Sequence, residues 1–126
     1  MFSKILLFDI DGTLLLSGRA GYRALTSAFE ELFGVAGGFD HVPVAGMTDR
    51  LILTDALKQA EVTADATQRA RFHRRYWELF ANEIHFPGPR KGWMPGVLAL
   101  LERLSHCDQV RCGLVTGNFA EPAEIK

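Results

Sequence analysis

The chain has 126 residues, a formal net charge of -1 and a 48% hydrophobic composition, which sets the expectation of one ordinary globular domain. That charge gives no electrostatic case for binding nucleic acid or an anionic membrane surface. No apolar run approaches the roughly 18 residues of a membrane-crossing helix. Asp9 and Asp11 interrupt the first apolar stretch, so it does not read as a secretory signal. Cys107 and Cys112 match no metal spacing; the expectation is a cytoplasmic protein with reduced thiols.

In chain order, residues 5–8 (Ile-Leu-Leu-Phe) form a short continuous apolar run of the kind expected for a buried parallel strand. It ends in Asp9-Ile10-Asp11-Gly12-Thr13. Two carboxylates at i and i+2 cannot both be buried unpaired without a large desolvation cost. At the carboxyl end of a parallel strand they instead face the crevice where open α/β sheets bind ligands. Gly12 permits a sharp turn or a close backbone approach, and Thr13 brings a hydroxyl.

Helical periodicity follows. Between residues 19 and 33, Tyr22, Leu25, Ala28, Phe29, Leu32 and Phe33 make one apolar stripe, and Gly34 suits a left-handed cap. Residues 39–46 read as a loop. Thr48 or Asp49 is placed to cap a second helix carrying Leu51, Ile52, Leu53, Ala56 and Leu57, and Thr63 or Asp65 to open a third with Phe72, Tyr76, Leu79 and Phe80 on one face. Residues 87–92, Pro-Gly-Pro-Arg-Lys-Gly, are the clearest linker signal. Pro95 suits the first turn of a helix with Val97, Leu98, Leu101 and Leu104. Residues 110–115 read as a strand ending in Thr116-Gly117-Asn118, and a last helix starts near Glu121 with Pro122 in its first turn. Strand, helical stretch, turn-rich return, helix, strand is an α/β pattern with a helical insert: a Rossmann-like parallel sheet interrupted by helices.

Asp9-Ile10-Asp11-Gly12-Thr13 matches the DxDGT nucleophile motif of the haloacid dehalogenase-like hydrolases at every defined position, and Thr116 at a later strand tip fits their second motif. The chain thus resembles that family, in particular its branch of phosphoglycolate phosphatase-like and β-phosphoglucomutase-like members with a helical cap. The resemblance implies a core over residues 1–16, a cap over 17–91 and a second core part over 92–126. It also implies a phosphomonoester hydrolase acting on a small phosphorylated metabolite through an aspartyl phosphate. Asp9 would be the nucleophile and Asp11 the general acid and base. Mg²⁺ would be held by the Asp9 side chain and the Asp11 carbonyl. Ile10, Gly12, Thr13, Thr116, Gly117 and Asn118 would surround the phosphate.

Thr48, Asp49 and Arg50 resemble a cap segment that reads substrate, although a turn with a helix cap explains them equally well. Arg69, Arg71, Arg74 and Arg75 read as a solvated helix face, and the four histidines have no mutual metal spacing. The family also implies a third-motif Lys or Arg and a downstream acidic pair, neither of which can be placed within ten residues of Thr116. Lys126 comes early for that role and reads as a surface lysine. Two alternatives accompany the hydrolase reading. One is a phosphosugar mutase with the same motifs; the other is a non-catalytic chain that associates through an open sheet edge, its oligomeric state undetermined.

Overall fold

The computed structural model describes residues 3–126. Nine elements follow in order: β1 (Lys4–Phe8), β2 (Leu15–Leu16), α1 (Ala20–Phe33), α2 (Asp49–Gln59), α3 (Ala66–Glu83), β3 (Gly92–Trp93), α4 (Val97–Ser105), β4 (Val110–Leu114) and α5 (Ala120–Ile125). β1 and β4 pair in parallel with Phe8 opposite Leu114, so Asp9 and Val115 leave the sheet at the same end. This is the α/β class expected, with the helices inserted between the paired strands.

The helix ends follow their local chemistry. Gly34 closes α1 in the left-handed region (φ 71°), its N–H donating to the Glu30 carbonyl. Thr48 caps α2 by accepting the Leu51 N–H. Asp65 and Gln68 form a reciprocal capping box at α3, which satisfies two otherwise orphaned donors. Pro95 does not occupy the first turn of α4: the helix begins at Val97 after Gly96, whose positive φ of 79° redirects the chain.

The hydrophobic core lies in the insert rather than around the sheet. Phe29, Phe39, Phe72 and Phe80 are fully buried among α1, α2, α3 and the 39–46 loop. Phe72 has ring contacts with Phe29, Phe33, Phe39 and Tyr76 at 6.2–6.4 Å. Burying each such side chain is worth about 1.5–3 kcal/mol. The expectation of a buried first strand is corrected here. Ile5 and Leu7 are 62% and 61% exposed, because β4 is the only strand paired with β1 among the described residues and their side chains stand uncovered.

The expected 87–92 linker is also partly a strand. β3 pairs antiparallel with β2, and the Met94 N–H donates to the Leu14 carbonyl. The two connections into and out of the helical insert therefore run side by side. They touch at Gly18 and Gly88, where a Cβ on Gly88 would stand 2.0 Å from the Gly18 carbonyl oxygen. Because that obstacle is backbone, Gly88→Ala should cost about 1–3 kcal/mol through overpacking. Urea unfolding should show a lower midpoint with an unchanged m-value. An unchanged midpoint would mean that the crossing yields without cost.

Candidate active site

The ends of β1 and β4 carry the acidic motif and the Thr-Gly-Asn turn. Ile10 anchors the first by burying its side chain, while its carbonyl accepts the N–H groups of Thr13, Leu14 and Leu15. The Gly12 N–H donates to the Leu15 carbonyl at 2.9 Å, and Gly12 has φ 76°, so the chain reverses directly after Asp11. This turn uses the amides of Gly12 and Thr13 internally. By contrast, the amides of Ile10, Asp11 and Gly117 donate to no acceptor among the described residues. The Thr13 side chain faces solvent, and Asp9 is exposed with no hydrogen bond or ion pair among the described residues.

Asp11 is engaged. The Lys126 ammonium donates to both its carboxylate oxygens, at 2.6 and 2.8 Å, and to Asn118 Oδ1 at 2.8 Å. The reading of Lys126 as a surface lysine is therefore corrected: its side chain is only 5% exposed, with the ammonium 5.5 Å from the centre of the Phe80 ring. α5 starts directly after Phe119, and Lys126 at its end reaches back to Asn118 in the preceding turn. Thr116 is half-buried, and its hydroxyl accepts the Asn118 N–H at 3.1 Å.

Asp49 joins the helical insert to this turn. Although it is the first residue of α2, it is not the cap; its carboxylate accepts the Phe119 N–H at 2.9 Å and Asn118 Nδ2 at 3.3 Å. Its own N–H donates to the Gly117 carbonyl. A Cβ on Gly117 would meet the Met47 carbonyl oxygen at 2.6 Å, so the two loops lie in close contact. Of the three residues expected to read substrate, Thr48 caps a helix, Asp49 fastens the 117–119 turn, and Arg50 lies over the Phe119 ring at 5.7 Å. A continuous polar chain runs from Asp49 through Asn118 and Lys126 to Asp11.

Burial pushes the Asp49 carboxyl above the ordinary carboxylate range, against the opposing pull of the Phe119 amide and Asn118. A raised folded-state value means that Asp49 contributes its full stability below the unfolded value of 3.8 and loses it as pH rises through the folded value. Asn at this position does not titrate. The stability difference between Asp49→Asn and the native protein should thus shift in favour of the variant between about pH 3 and pH 7. Denaturant melts across that range give the test, and a constant difference would refute the shift.

Beyond the carboxyl ends of the two parallel strands lie an exposed carboxylate, a second carboxylate paired with Lys126 and three amides without an acceptor among the described residues, in a fold of the α/β class. The model of the haloacid dehalogenase-like hydrolase family matches residues 6–126, and the chain belongs to that family. No curated protein matches the sequence. Among solved structures, a predicted phosphoglycolate phosphatase from Haemophilus somnus 129PT superposes with a TM-score of 0.62 at 21% identity, over 95% of this chain and 53% of that one. That likeness shows a shared fold, and the chain spans about half the length of the neighbour. No helix among the described residues is long and apolar enough to cross a membrane.

Proposed function

We propose that this chain carries the nucleophile-bearing part of a phosphomonoester hydrolase for a small phosphorylated metabolite. The observation that supports it most is the contrast between two neighbouring acids: Asp9 is open and unpartnered among the described residues, while Asp11 is held by Lys126. Asp9 is free to attack phosphorus. The bond from phosphorus to the leaving oxygen breaks as the bond to Asp9 forms, and Asp11 gives its proton to the departing alkoxide. Water then attacks the aspartyl phosphate, losing a proton to Asp11, and releases inorganic phosphate with Asp9 restored.

Lys126 has a part in the first step. As a dianionic phosphate enters, the ammonium exchanges the Asp11 oxygens for phosphoryl oxygens. This stabilises the charge of the transition state and frees Asp11 to carry a proton. The Thr116 hydroxyl and the unspent amides of Ile10, Asp11 and Gly117 are further donors for those oxygens. Residues 17–91 act as a cap, entered and left by the two connections that cross at Gly18 and Gly88.

The oxygen donors also suit Mg²⁺ in part. The Asp9 carboxylate and the Asp11 carbonyl accept no hydrogen bond from the described residues, and both are hard oxygens of the kind this ion takes. No group of three His, Cys, Asp or Glu that could hold a metal occurs among the described residues, so these two would hold the ion with water. Bound there, Mg²⁺ would offset the negative charge that nucleophile and phosphate bring together.

The role of Asp11 is tested by leaving-group dependence. Asp11→Asn should slow alkyl phosphate hydrolysis by roughly 10²–10⁴-fold. Activated aryl phosphates, whose leaving groups need little protonation, should lose much less. Equal losses on both would assign Asp11 to binding or folding instead.

A further inference from the structure

Asp49 is the one buried charged residue among those described, 5% exposed, and it lies at the start of α2 in the helical insert. Both of its side-chain hydrogen bonds leave the insert. One carboxylate oxygen accepts from Asn118 Nδ2 at 3.3 Å and the other from the Phe119 N–H at 2.9 Å, while the Asp49 N–H donates to the Gly117 carbonyl at 3.0 Å. A single residue of the insert thus holds three successive residues of the turn after β4.

These bonds fix a direction. The Asn118 amide has one end that only accepts and one that only donates. An ionised carboxylate only accepts, so Asp49 draws the amide nitrogen toward itself and leaves the oxygen pointing away. That oxygen accepts from the Lys126 ammonium at 2.8 Å. The remaining ammonium donors go to the two Asp11 oxygens, so every donor of Lys126 is met. A reversed amide would set donor against donor at Lys126 and acceptor against acceptor at Asp49. Water could do little to relieve that clash, because the Lys126 side chain is only 5% exposed.

We infer that Asp49 is a positioning residue: by setting the direction of the Asn118 amide, it holds the Lys126 ammonium where phosphate enters. Its effect on turnover rests on the hydrolase reading above; the positioning itself does not. Once phosphoryl oxygens replace those of Asp11 at the ammonium, the Asn118 oxygen is the acceptor that still anchors it. Asp49 therefore acts on the acidic site at one remove, through two side chains of the turn and helix that follow β4.

The test reads the Lys126 ammonium by nitrogen–proton NMR, in which a lysine ammonium is seen only when hydrogen bonds slow its exchange with water. Lys126→Met identifies the signal, and its absence from the native protein would overturn the inference at once. Asp49→Asn keeps the shape but offers one acceptor to two donors, so the Asn118 amide loses its direction. The Lys126 signal should disappear and kcat/KM should fall about tenfold, the value of one hydrogen bond to a charged group. The Phe119 amide, still met by the remaining oxygen at position 49, should stay protected from hydrogen exchange. Loss of both together would mean that Asp49 only fastens the turn, and a retained Lys126 signal or an unchanged kcat/KM would equally overturn the positioning. The double exchange of Asp49→Asn with Asn118→Asp pairs every donor again, with the link between the two residues reversed, and should restore the signal. If Asp49→Asn does not fold, this exchange decides alone, and its failure to fold or to show the signal overturns the assignment. If no form hydrolyses phosphate esters but the signals behave as expected, the hydrolase reading fails and the positioning stands.

Discussion

Asp9→Asn should abolish phosphate-ester turnover, with a loss of at least roughly 10³-fold, and leave the fold intact. Removing a nucleophile that forms a covalent intermediate removes the pathway itself, whereas removing a positioning contact only raises the barrier. Asn has the same shape as Asp, and Asp9 is exposed with no partner among the described residues to lose, so stability should change by less than about 0.5 kcal/mol. The test pairs steady-state kinetics with urea unfolding. Hydrolysis near the native rate would dismiss Asp9 as nucleophile. A large loss of stability would show that the residue has a structural duty the geometry does not reveal.

Lys126→Met should lower kcat/KM by roughly 10²–10³-fold, the range for losing one preorganised donor to a developing phosphoryl charge. Met keeps an apolar stem against Phe80 while deleting the ammonium. Inhibition by inorganic phosphate should weaken as well, because the lysine meets phosphate in product as in substrate. This separates its role from that of Asp11, whose loss should spare phosphate affinity. If Lys126→Met kept its activity and lost only stability, the Lys126–Asp11 pair would be a structural bridge.

The acidic motif was legible because the physics behind it is local: an apolar strand, two carboxylates that burial would penalise, and a glycine that turns the chain. The caps at Gly34, Thr48 and Asp65 were legible for the same reason. Lys126 was not, since its burial depends on Phe80 and Asp11, both far from it in the sequence. The hydrogen bonds of Asp49 to the 118–119 turn were not legible, because those partners lie about seventy residues away and no local pattern records such a pairing. The apolar run over residues 5–8 reports strand propensity correctly; what covers each face is set by neighbouring elements, and Ile5 and Leu7 stand exposed.

The most direct measurement is to trap the covalent intermediate. The protein, with Mg²⁺, should be mixed with a phosphate monoester that it turns over, quenched in acid within the first turnover, digested and mapped by mass spectrometry. The expected result is a phosphoryl group on the peptide containing Asp9, labile to hydroxylamine as an acyl phosphate is, and absent from Asp9→Asn. Phosphate release with no phosphorylated Asp9 at any quench time, or the label on another residue, would contradict nucleophilic catalysis by Asp9.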